Sequence, residues 1–194
     1  MNVLARVLQD VRADLLDLGI RAALIGGIAV SARAEPRFTR DVDLAVAVAG
    51  DAEAERLLLL LRGRGYSPIA SFENLAVDRL STVRLVPRRG SENEVLVDLL
   101  LASSGIEAEI VAGSTVIDVF PGVPFPVARV GHLLALKVLS YDAVRRLKDA
   151  VDIQALLVEA DPGELTVCEE ALDLITTRGY NRDRDLRSIF RSFR

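Results

Sequence analysis

Leu24-Ile25-Gly26-Gly27, then thirteen residues, then Asp41-Val42-Asp43-Leu44 is the stretch on which the fold turns. Ala22 to Ile25 is a short apolar run of strand type that ends in two glycines, and Ile28 to Ala34 reads as a helix before Pro36 breaks the chain. From Asp41 to Val48 the pattern alternates with period two. Asp41, Asp43, Ala45 and Ala47 share one face, and Val42, Leu44, Val46 and Val48 share the other. The two acids therefore project from the same side of a strand, with Cα atoms about 6–7 Å apart. Two carboxylates so placed can share a divalent cation. Magnesium takes hard oxygen ligands and is usually held by one or two carboxylates plus substrate phosphates, so the pair points to phosphate chemistry on a nucleotide. The glycines let a phosphate approach the backbone, and the free N–H groups at a helix start favour an anion. Asp-x-Asp alone would equally suit a solvent-facing strand start; its conjunction with a glycine turn and a helix singles it out.

Working outward, Val3, Leu4, Val7, Leu8, Val11, Leu15 and Leu18 form one helical face, closed by Gly19. Ala52 to Arg64 is a Leu-rich helix stopped by Gly65. Thr82 to Val86 and Val95 to Leu101 read as strands joined by the charged turn Arg88-Arg89-Gly90-Ser91-Glu92-Asn93. Asp98 lies inside the second of these, between Leu96 and Leu100 on its own face, where a carboxylate is costly without a partner. Ile106 to Ala112 is helical, and Thr115 to Pro126, with three of the seven prolines, is two short strands or a linker. Arg129 to Val158 reads as a long helical stretch with a break allowed at Ser140 to Asp142, and Leu165 to Thr176 as a further helix. The expected fold class is α+β, with a short mixed sheet flanked by helices over residues 1–126 and a helical unit over 127–194.

Composition narrows the chemistry. The chain has 194 residues, 51% of them hydrophobic, so it folds around one core or two small ones. With a formal net charge of −4 it is neither a polyanion mimic nor generally basic. The longest uncharged apolar stretch, Ala22 to Ala32, contains two glycines and falls far short of the roughly 20 residues that cross a bilayer. The N-terminus lacks the pattern of a signal peptide, so a cytoplasmic location is expected. One cysteine, Cys168, and one histidine, His132, leave no disulfide and no zinc cluster. Chemistry must then run on carboxylates, arginines and lysines. There are only two lysines, against 22 arginines, and both Lys137 and Lys148 fall in one helical segment. A lysine is a compact point charge that a guanidinium fork does not replace. On one continuous helix Lys148 lies about 20° and Asp152 about 60° from Lys137, with Asp149 about 120° round. Lys137 would offset phosphate charge from that face, while Asp152 would orient a lysine or accept the acceptor's proton.

The string Gly26-Gly27-Ile28-Ala29-Val30 with Pro36-Arg37-Phe38-Thr39-Arg40-Asp41-Val42-Asp43-Leu44 resembles the DNA polymerase β-type nucleotidyltransferase superfamily, and within it the AbiEii and MenT group of toxins. The downstream block Leu136-Lys137-Val138-Leu139, Arg145, Lys148-Asp149 and Asp152-Ile153 is similar to that group as well. The resemblance implies a nucleotidyltransferase fold and Mg²⁺-dependent transfer of an NMP from an NTP to an acceptor hydroxyl, most directly the tRNA 3′ end, by the toxin of a toxin–antitoxin system. It implies that Asp41 and Asp43 are catalytic metal ligands with Asp98 as a third acid, and that Lys137 and Asp152 are catalytic. Gly26, Gly27, Arg37, Thr39 and Lys148 would bind the nucleotide. A phosphate on Thr39 would add about −1.5 to −2 charges beside the metal pair and switch the site off. Gly27 stands where AbiEii-like relatives carry Ser, which removes one hydroxyl, and Arg33 also departs from the common pattern. Transfer to a protein or to a small molecule such as an antibiotic, or a catalytically dead binding module, are the alternatives.

The segment from Arg178 to Arg194 carries six arginines and two acids, with Tyr180, Phe190 and Phe193 among them. That mix suits RNA phosphates and stacked bases, an acidic antitoxin, or a plain solvated terminal helix.

Overall fold

The computed structural model describes residues 3–75, 77–88 and 95–194; most of the charged turn expected at 88–93 lies outside them. Helix α1 (Val3–Asp17) ends at Gly19, where a φ of +67° lets the chain reverse into β1 (Ala22–Ile25). Then come α2 (Gly26–Arg33), β2 (Val42–Val46) and α3 (Asp51–Gly63). Next in the chain are β3 (Ser67–Asn74), β4 (Arg79–Val86) and β5 (Val97–Leu100). α4 (Glu107–Gly113) leads to the hairpin β6 (Thr115–Phe120) and β7 (Val123–Val127). Four helices close the chain, α5 (Val130–Ser140), α6 (Leu147–Glu159), α7 (Pro162–Thr177) and α8 (Leu186–Arg191).

The class is α+β, as expected. Among the described residues seven strands form one mixed sheet in the order β3-β4-β5-β2-β1-β7-β6. β1 and β2 run antiparallel, whereas β1 pairs parallel with β7 and β2 parallel with β5. The proline-rich stretch is therefore a hairpin that extends the sheet, not a linker. Its last strand joins the centre through Leu24 opposite Val127 and the Ala128 N–H donating to the Leu24 carbonyl at 3.0 Å. The central strands β1 and β2 are buried almost throughout, which is why Ala22 to Ile25 could be uniformly apolar.

β3 went unread in the sequence. It is an edge strand, exposed along most of its length and carrying Pro68, so it has neither a buried face nor a clean alternation. The long stretch from Arg129 to Val158 is two helices, broken at Tyr141 to Arg146, which begins inside the break allowed at Ser140 to Asp142 and runs four residues past it. In the C-terminal segment, Tyr180 and Phe190 are buried in the core and Phe193 meets Tyr141 edge-on at 5.0 Å, so these rings do not offer a stacking surface. Arg178, Arg187 and Arg194 are paired with Glu109, Asp173 and Glu169. Among the described residues no helix is long and apolar enough to cross a membrane. Cys168 is buried and its thiol is pushed up to about 12 by desolvation, which makes it a packing residue.

Arg33, the departure noted above, locks α2 to the hairpin. Nε donates to the Ala128 carbonyl at 2.9 Å, and Nη2 donates to the Val127 carbonyl at 2.9 Å and Thr115 Oγ1 at 2.7 Å. Arg33→Met keeps the apolar stem and deletes these donors, so it should cost about 1.5–3 kcal/mol in urea denaturation; an unchanged midpoint would show that α2 is held without it.

Candidate active site

Residue by residue, the site is built at the ends of β1, β2 and β5. Register places Ile25 opposite Asp43 and Asp43 opposite Asp98, while Arg84 on β4 lies opposite Asp98. The row across the sheet is thus Ile25, Asp43, Asp98, Arg84. Asp41 immediately precedes β2, two residues from Asp43, as the alternation required. Gly26 turns the chain from β1 into α2 with φ +63°, and a Cβ there would fall 1.9 Å from Asp43 Oδ2. Only glycine lets the helix start this close to the carboxylate. The Gly27 N–H donates to that carboxylate, and no side chain caps the helix.

Negative charge accumulates here. Desolvation at the cleft floor first, then the neighbouring Asp98 and Asp41 carboxylates, raise Asp43 from 3.8 to about 6; the Gly27 N–H and Lys137 act in the opposite sense. A carboxylate held against its own preference, next to a second one, is a site with a deficit of positive charge. Its donors are all hard oxygens, so Asp41 and Asp43 fit a magnesium-type cation. Asp98, expected as a third metal ligand, stands beside Asp43 across the β2–β5 pair. Both of its oxygens are engaged by Arg84, Nε to Oδ1 at 2.8 Å and Nη2 to Oδ2 at 2.6 Å, and among the described residues no group of three or more acids is arranged to hold a metal. Arg84 was missed in the sequence; an opposite-charge pair across adjacent strands becomes legible only once the register is known.

The lysine helix is rearranged by its break. Lys137, on α5, puts Nζ 2.6 Å from Asp152 Oδ2 and 2.9 Å from Asp149 Oδ1. Asp152 is held from its other side by Arg37, with Nε 2.7 Å from Oδ1 and Nη2 3.0 Å from Oδ2. Asp149 also accepts from Ser140 Oγ at 2.9 Å and pairs with Arg146 Nε at 2.8 Å. Asp149 and Asp152 are 2% and 1% exposed, so both act as anchors. Asp149 therefore belongs with Lys137, contrary to the continuous-helix angles. Asp152 sits between Arg37 and Lys137, with both of its oxygens in contact with these cations. Lys148 parts from Lys137; it is exposed in the first turn of α6 and lines the cleft.

These groups open into one cleft of about 1040 Å³, lined by Gly26, Gly27, Arg37, Thr39, Asp41, Asp43, Asp98, Lys137 and Lys148 among others, so it collects every expected site residue except the buried anchor Asp152. The departure at Gly27 has a steric cause. A Cβ there would lie 2.7 Å from Thr39 Oγ1, 2.9 Å from Thr39 Cβ and 3.0 Å from Arg37 Nη2. The Thr39 hydroxyl occupies the space that a serine at position 27 would need.

The family described as Nucleotidyl transferase AbiEii toxin, Type IV TA system, matches residues 6–192 of this chain. No curated protein sequence matches it. Among solved structures it is similar to an antigenic nucleotidyltransferase-like protein from Paracoccidioides brasiliensis, with 20% identity and a TM-score of 0.59 over 97% of this chain and 92% of that one. It is also similar to the lincosamide antibiotic adenylyltransferase LnuA with lincomycin bound, with 15% identity, a TM-score of 0.52 and coverage of 82% and 100%. The antibiotic-resistance factor ANT(2'')-Ia gives 20% identity, a TM-score of 0.50 and coverage of 97% and 91%. At these identities the shared property is the fold.

Two outcomes are expected. Gly27→Ala overpacks the Thr39 contact and should cost about 1–3 kcal/mol, and adding Thr39→Gly should recover part of that loss; strict additivity in this cycle would mean that the two positions do not compete for space. Asp43→Asn removes a charge the folded state disfavours. Because the folded Asp43 value lies above 3.8, at about 6, the wild type loses stability as pH rises between those values, and the loss is complete above the higher one. The variant should melt a few degrees higher than wild type near neutral pH, at about 2–4 °C per kcal/mol, with the gap closing as the wild-type carboxyl becomes protonated. A lower melting temperature at neutral pH would contradict the charge deficit.

Proposed function

This chain belongs to the AbiEii family of nucleotidyl transferase toxins and is a nucleotidyltransferase, and from that premise we propose that it transfers an NMP from an NTP to an RNA hydroxyl, most directly a tRNA 3′ end, with Mg²⁺ as the cation: the hydroxyl oxygen bonds the α-phosphorus as the bond to pyrophosphate breaks, pyrophosphate leaves, and the hydroxyl proton passes to solvent. The observation that carries this reading is the Asp41 and Asp43 pair beside a glycine turn that brings the start of α2 against the same carboxylate. In the cell it acts as a toxin against which an antitoxin protein is paired, and it works in the cytoplasm.

In this mechanism the triphosphate lies over Gly26 and Gly27, where the start of α2 presents N–H groups and Thr39 a hydroxyl. Asp41 and Asp43 would hold a divalent cation, which when bound would supply charge stabilisation to the α-phosphate being transferred. Arg37 and Lys137 face the cleft as cations fixed in place by Asp152 and Asp149, so they meet developing negative charge without having to reorganise. Lys148 adds a mobile cation at the rim.

The acceptor separates RNA from the second reading, an antibiotic, which the names of the two adenylyltransferases of similar fold bring forward. The rim supports RNA. Arg145, Lys148 and Arg182 all line the cleft, and such a rim attracts the phosphates of an RNA. The test is incubation with total RNA and each of four α-labelled NTPs in Mg²⁺. Label in a small-RNA band supports the reading; label only on protein or on added lincomycin overturns it.

Asp41→Asn is nearly isosteric and should leave the melting temperature close to wild type while lowering transfer at least about 10³-fold, in the range expected when a group acting only in the transition state is lost. Lys137→Arg should also fail, since a fork cannot sit between two buried carboxylates 2.6 and 2.9 Å from one nitrogen. Full activity in either variant would remove that residue from the machinery.

A further inference from the structure

Past Asp98 the cleft continues onto the antiparallel strands, over residues that the triphosphate site does not use. Phe72 on β3 lies opposite Thr82 on β4, and Thr82 lies opposite Leu100 on β5. This row sits two residues along from Arg84 and Asp98, on the same face, and all three of its members line the cleft together with Ser81 and Ser103. Phe72 is 54% exposed although it borders a cavity, which leaves a ring face without a protein partner.

The opposite wall is built from the loop between α7 and α8. Tyr180 packs its ring on Gly105, where a Cβ would come within 2.5 Å of it, and Arg178 donates to the Gly105 carbonyl and to Glu109. Arg184 Nη1 donates to the Leu139 carbonyl at 3.0 Å. The loop is thereby pinned between the Ser103–Gly105 segment and the end of α5, and Arg182 is placed over the cleft in the left-handed region, at φ +56°. Among the described residues Arg182 has no acidic partner, and Arg146 and Arg184 are the charges that act on it, both repulsive. The Arg182 backbone is held in a sparsely populated conformation at the cleft, and its guanidinium, with only like charges acting on it, lacks an anion. On the sheet side Arg84 commits Nε and Nη2 to Asp98, leaving Nη1 as its remaining donor group.

We propose that this half of the cleft is the acceptor subsite and that it takes the terminal nucleotide of a single-stranded RNA, with Phe72 stacking the base and Arg182 and Arg84 binding the flanking phosphates. The proposal rests on the reading of the protein as an RNA nucleotidyltransferase and adds the residues that hold the acceptor. An aromatic face, three hydroxyls, the unpaired guanidinium of Arg182 and the remaining donor of Arg84 match a nucleotide's base, ribose and phosphates in turn.

The experiment measures binding of a short fluorescein-labelled single-stranded RNA by anisotropy, and transfer kinetics against RNA and NTP separately. Phe72→Ala and Arg182→Ala should each weaken RNA binding and raise KM for RNA about tenfold, while KM for NTP stays within about twofold. Phe72→Trp should retain binding, and Arg182→Ala should flatten the salt dependence by about one counterion. RNA affinity unchanged in both alanine variants overturns the subsite, as does a rise in KM for NTP equal to that for RNA. If wild type binds this RNA through both residues yet labels none, the subsite stands and the transfer reading falls. If wild type and both variants label RNA alike, the transfer reading stands and the subsite falls.

Discussion

Negative charge gathered at the ends of two parallel central strands is the constraint that the rest of the structure answers. Asp43 stands in register between Ile25 and Asp98, with Asp41 beside it and a helix start directly against its carboxylate. Its proton affinity rises to about 6 because water is largely excluded and two carboxylates are near. A fold selected for stability alone would place alanine or valine there. Instead, cations arrive from separate elements, Arg84 from β4, Lys137 from α5 and Arg37 from the segment between α2 and β2.

That convergence explains the break between α5 and α6. Lys137 reaches two carboxylates on α6 only because the chain turns back at Tyr141–Arg146 and brings Asp149 and Asp152 alongside it. One continuous helix would have carried them away along the axis. The network of Arg37, Asp152, Lys137, Asp149, Ser140 and Arg146 is nearly closed to water at its two acids, so each acid depends on the cations that surround it. The same ties give the cleft its fixed cations, linking the stability of the helical layer to the chemistry of the sheet.

The site's core was legible because its signals are local. Two glycines after an apolar strand, and two acids on one face of another, are short-range patterns whose steric and electrostatic reasons survive without the fold. The rest depends on long-range register or on exposure. Arg84 meets Asp98 across an antiparallel pair, Asp149 gains its role from a helix break that no proline or glycine marks, and β3 is an edge with little to bury. Tyr180 and Phe190 read as surface aromatics because the segment around them is rich in arginine, yet packing on Gly105 and the core claims both rings. Gly27 looked like a missing hydroxyl; the contact with Thr39 turns it into a vacancy that Thr39 requires.

The most direct measurement of the central claim is a structure determined with magnesium and a non-hydrolysable NTP. The account predicts a cation between Asp41 and Asp43, the triphosphate over Gly26 and Gly27 at the start of α2, and Asp98 still paired with Arg84. A nucleotide bound elsewhere in the cleft, with Asp41 and Asp43 free of metal, would contradict it.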